Sequence, residues 1–97
     1  MPEAFQLHRD MGCTRAEFIG WLPGATRPAS FQIDGDKVTV ITHGGRVQIS
    51  LEEKPPRRMG LLAVPVLGVT FCFLGLDELT RDDFLVHFDS YTMRGGG

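Results

Sequence analysis

From Gly60 to Leu76 the chain runs through 17 consecutive residues without a charge, GLLAVPVLGVTFCFLGL. No other feature limits the fold so strongly. A run of this length stands at the lower edge of what can cross a bilayer as a helix. Arg57 and Arg58 precede it as a positive-inside flank would. Its composition points elsewhere. Gly60, Pro65, Gly68 and Gly75 interrupt it, and Val and Phe are frequent, which suits a pleated sheet better than a membrane helix. The run is therefore read as buried sheet, either one long strand bent at Pro65 or Gly68, or two strands.

Period-two alternation puts Leu61, Ala63, Leu67, Val69, Phe71 and Phe73 on one face. Leu62, Val64, Val66, Thr70, Cys72 and Leu74 fall on the other. Both faces are largely apolar, so cover is expected on both. The chain, at 97 residues, makes a single domain. A domain of that size seldom covers both faces of its own sheet. The expected cover is a protein partner, most simply a second copy in a homodimer.

Around this strand the other elements can be placed. Phe5 to His8 alternates as a short first strand, which Asp10-Met11-Gly12 breaks. Thr14-Arg15-Ala16-Glu17 is a capping box opening a helix, with Phe18, Ile19, Trp21 and Leu22 on its apolar side and Pro23-Gly24 as its stop. Phe31 and Ile33, then Val38 and Val40, then Val47, Ile49 and Leu51 alternate with polar residues. Asp34-Gly35 and Gly44-Gly45 separate them as turns, giving a three-stranded antiparallel meander. Glu53 to Arg58, with Pro55-Pro56, reads as a stiff extended connection. Thr80-Arg81-Asp82-Asp83 repeats the earlier phrase and is expected to cap a last helix to about Met93. Residues 95–97 are expected to be a disordered tail.

The sum is an α+β fold: an antiparallel sheet of about five strands with two helices on one face, in the order β-α-β-β-β-β-α. That order resembles the arrangement of TATA-binding-protein-like and small helix-grip domains. The likeness is of topology alone, without a motif of either, and implies no function.

The chemistry-bearing residues are few. His8, His43 and His87 have no Cys or His partner at metal-ligand spacing, so neither a metal nor another cofactor is expected. Cys13 and Cys72 are too few for a disulfide framework. Cys13 stands just before the Thr14 cap, where a helix start lowers a thiol pKa. Cys13 with His8 is therefore the one candidate catalytic pair. The N-terminus lacks a basic segment followed by an apolar core, so a cytoplasmic location is expected and a membrane one is not. A net charge of −2 gives no electrostatic reason to bind nucleic acid.

The resulting expectation is a small non-catalytic binding or accessory protein that self-associates. Trp21, Leu62, Val64 and Val66 are expected at an interface. Lys54, Arg57 and Arg58, the one basic cluster, are expected to dock an acidic partner. The alternatives are a carrier of a small apolar ligand lodged between the last helix and the sheet, near Phe71, Phe73, Phe84 and Phe88, and a small enzyme using Cys13 and His8.

Overall fold

The computed structural model describes residues 4–27 and 29–96, with 93–96 by backbone alone. In chain order the elements are β1 (Ala4–Met11), α1 (Arg15–Ala25), β2 (Ser30–Asp34), β3 (Lys37–Thr42), β4 (Gly45–Met59), β5 (Leu62–Leu74) and α2 (Glu78–Gly96). The strands form one antiparallel sheet in the order β1-β5-β4-β3-β2. The α+β fold read from the sequence is the one observed.

Register explains the core. Val38 stands opposite Ile49, Ile49 opposite Phe71, and Phe71 opposite Leu7, so one apolar row crosses four strands. A parallel row runs Val40, Val47, Phe73, Phe5. Both helices lie over this face. Phe18, Leu22 and Ala25 of α1 and Phe88 of α2 are buried there. The Phe88 ring packs edge-on against Phe71 at 5.2 Å and tilted against Phe18 at 5.7 Å, which ties both helices to β5.

Three expectations change and one open alternative is narrowed. First, Glu53 to Arg58 is not a connection. β4 continues through it for 15 residues and pairs with β5 up to Met59 opposite Leu62. Proline is tolerated because the ladder is interrupted between Lys54 and Arg57, where no N–H from Pro55 or Pro56 is needed. Second, of the two forms left open for the uncharged run, the single strand is the one found, 13 residues long. Its start is set by Gly60, whose φ of 64° forms the tight Gly60-Leu61 turn.

Third, α1 does not stop at Pro23-Gly24 but runs to Ala25. Buried Leu22 and Ala25 flank the proline, and Thr26 closes the helix by donating its N–H and hydroxyl to the Leu22 carbonyl at 3.0 and 2.7 Å. Gly24 is needed there, because a Cβ would come within 2.1 Å of the Tyr91 ring of α2.

Fourth, α2 begins at Glu78, not after a Thr80 cap. The Asp77 carboxylate accepts the Thr80 N–H at 2.8 Å and takes the capping role. Thr14, in contrast, makes the full reciprocal box with Glu17. The repeated phrase therefore marks two helix starts in different registers. The backbone of α2 is helical through Gly96, past the expected stop at Met93. Of the expected tail, Gly97 lies outside the described residues.

No helix of the described residues is long and apolar enough to cross a membrane.

Candidate interaction surface

β1 pairs with β5 only from Leu67 onward, and β3 pairs with β4 only as far as Ser50. Beyond those points the strand pairing is between β4 and β5 alone. They project as a two-stranded hairpin, and the molecule measures 48 Å along its longest axis against 24 and 23 Å across. At the tip Leu61 is 106% exposed, Leu62 68% and Met59 58%.

The hairpin unites two sets of residues that the sequence suggested separately. The expected interface residues Leu62, Val64 and Val66 lie on β5. The expected docking residues Lys54, Arg57 and Arg58 lie on β4, with Lys54 opposite Val66 and Arg57 opposite Val64. Trp21 is not part of the hairpin; it sits on α1, half-buried against the core. Pro55 and Pro56 on one strand meet Pro65 on the other at the bulge. Three missing N–H donors there discourage a further strand from pairing along the hairpin, so it can contact a partner through side chains rather than by extending the ladder.

The root of the hairpin is clasped on the face away from the helices. Lys54 Nζ donates to Asp10 Oδ1 at 3.1 Å, and His8 Nε2 donates to the same oxygen at 3.1 Å. His8 Nδ1 lies 2.8 Å from the Thr70 hydroxyl. Gly68 leaves room for this, since a Cβ would lie 2.9 Å from Lys54 Cε. The hydrogen bond from Lys54 is the chief reason the Asp10 carboxyl is held below its ordinary pKa. Sequence spacing could not have revealed the cluster, because it joins residues 8, 10, 54 and 70 through strand register alone.

The candidate catalytic pair is not brought together. Cys13 is buried in the core on the helix side, while His8 points from the opposite face and is engaged by Asp10 and Thr70. Burial, with a smaller contribution from the Glu17 charge, pushes the Cys13 thiol up to about 11. The helix-start effect expected from the sequence is outweighed by desolvation.

Phe71, Phe73, Phe84 and Phe88, expected around a ligand, pack on one another at ring separations of 5.2 to 6.0 Å. They fill the space between α2 and the sheet. An open groove of about 540 Å³ lies to one side, between the start of α2 and the end of β3. His43, His87, Asp83 and Arg27 stand around it, with Ile41 and Phe84 supplying apolar wall. His87 Nε2 donates to the Gly24 carbonyl at 3.0 Å, which anchors that ring to α1. No group of three or more metal-ligating side chains occurs among the described residues.

The outward face of α2 is the second exposed surface. Leu79 is 77% exposed and Val86 69%, one helical heptad apart. Asp82 and Asp83 lie between them on the same face, opposite the partly buried Phe84 and the buried Phe88.

Comparison with protein-family models, with curated proteins and with solved structures finds no match, so geometry alone carries the functional argument.

Proposed function

We propose that this chain is a small non-catalytic interaction protein that self-associates, with the β4–β5 hairpin as its binding element. The observation that carries the reading is the tip: Met59, Leu61 and Leu62 are exposed together at the end of a two-stranded hairpin. Grouped apolar exposure of this kind marks interaction sites on soluble domains. Arg57 and Arg58 beside it supply orientation and specificity. A buried Cys13 with a raised pKa, remote in orientation from His8, supports a role without nucleophilic catalysis.

Light scattering across the micromolar range tests this. The expected result is a dimer mass that falls to monomer when Leu61→Ser and Leu62→Ser are combined, with the circular dichroism spectrum unchanged. A strict monomer at high micromolar concentration would overturn it.

The groove beside α2 favours a second reading, a carrier of a small amphipathic ligand, because its volume falls within the range of ligand sites and polar groups ring an apolar wall. Thermal-shift screening with such compounds, read against His87→Ala, is the measurement; no compound raising the melting temperature removes this reading.

A further inference from the structure

We propose that the receptor for the hairpin is the outward face of α2 on a second copy, so that two chains exchange hairpins across a two-fold axis; this rests on the self-association proposed above. The two surfaces complement each other in charge and in apolar content. The segment 54–76 carries Lys54, Arg57 and Arg58 and no acidic residue. Among the described residues no ion pair engages Arg57 or Arg58, whereas Lys54 is held by Asp10. The opening of α2 carries Asp77, Glu78, Asp82 and Asp83 against the single base Arg81. Arg81 lies over the Phe5 ring, 3.9 Å from its centroid, and pairs with Glu78 at 4.0 Å and Asp82 at 3.7 Å; one base against four carboxylates still leaves the helix start net acidic.

Each surface also has an apolar centre: Met59, Leu61 and Leu62 on the hairpin, Leu79 and Val86 on the helix. An apolar centre with a charged surround is how specific protein contacts are built.

The two surfaces cannot meet within one chain. β5 separates them: the hairpin turn precedes its first residue and α2 follows its last. Thirteen residues of strand span about 43 Å at about 3.3 Å each. Two copies lying side by side in opposite directions place each hairpin tip beside the other's α2 start. The contact then forms twice, as closed two-fold symmetry requires. Neither contact alone needs the roughly 800 Å² per partner of a standard interface, because the pair shares it.

A charge exchange tests the assignment. One variant combines Arg57→Glu with Arg58→Glu; the other combines Asp82→Lys with Asp83→Lys. Each alone places like charges across both contacts and is expected to weaken self-association by roughly a hundredfold. Mixed, they form one contact with inverted charges and one native contact, and a mixed dimer is expected by native mass spectrometry. Val86→Lys, which leaves the helix start intact, is a second helix-side variant and is also expected to be monomeric.

If the two α2 variants dimerise like the wild type while the Leu61→Ser, Leu62→Ser chain does not, this assignment is overturned and self-association stands. If the wild-type chain is monomeric and instead sediments with phosphatidylserine-containing vesicles, both are overturned. Failure of the mixture to dimerise, with both variants folded by circular dichroism, also overturns the exchange.

Discussion

β4 and β5 run through two environments, and the contrast between them separates what holds this protein together from what it presents. In the body of the sheet, Val47, Ile49 and Leu51 of β4 and Leu67, Val69, Phe71 and Phe73 of β5 are buried. In the hairpin the same two strands carry Met59, Leu61 and Leu62 into solvent. β5 is largely apolar in both regions, while β4 turns basic in the hairpin; both regions are antiparallel pairs. The difference is the layer above. α1 and α2 cover the body, and only the start of α1 borders the hairpin, at its root. Burial here is a property of the second layer, not of the strand.

The strongest test of that contrast is a truncation in each region. Phe71→Ala removes a fully buried ring in contact with Phe73 and Phe88 and is expected to cost about 3–5 kcal/mol in urea denaturation. Leu61→Ala, at the tip, is expected to stay within about 0.5 kcal/mol, measured as monomer at low concentration. A large loss at Leu61 would mean the hairpin packs on the body after all.

Cys13 probes the boundary, since it lines the cleft where Pro56 and Pro65 meet the body. With its pKa raised from 9.0 to about 11, it holds about a hundredfold less thiolate than an ordinary cysteine at neutral pH. Iodoacetamide should label it far more slowly than a model thiol. Labelling as fast as a model thiol would show that the root opens.

Smaller is the effect of the α1 cap. Thr14→Ala breaks a complete capping box and is expected to cost about 1 kcal/mol by thermal or urea melting. Thr80→Ala should cost less, because the threonine side chain is not the cap of α2 and Asp77 is.

The gentlest test concerns the clasp at the root. Asp10 has a depressed pKa in the folded state, so its contribution is present above the ordinary carboxylate pKa and is lost as pH falls through the depressed value. Asp10→Asn should be less stable than wild type at neutral pH, and the two urea midpoints should converge in acid. A difference that persists in acid would mean the clasp does not act through charge.

Much of the body was legible because alternation and capping are local. Val38 with Val40 and Val47 with Ile49 and Leu51 announced their strands, and Thr14 with Glu17 announced α1. The hairpin was not legible as a unit. Its basic strand looked like a linker because Pro55-Pro56 breaks the alternation, while its apolar strand looked like core. Only the pairing of Arg57 with Val64 and Met59 with Leu62 shows that the two belong together. The cap of α2 misled for a related reason. Asp77 and Thr80 are both capping residues by type, and the choice between them depends on where β5 delivers the chain.

The sequence by itself determined the element order, the apolar rows and the residue types at both helix starts, because these follow from periods of two and 3.6 and from local hydrogen bonds. The tertiary structure alone decided which apolar residues are core and which are surface. That decision depends on how far two helices extend over a longer pair of strands, and no local pattern encodes it. It also seated Lys54 on Asp10 and set His43 and His87 around one groove, because the placement of distant residues follows from strand register and helix docking rather than from spacing.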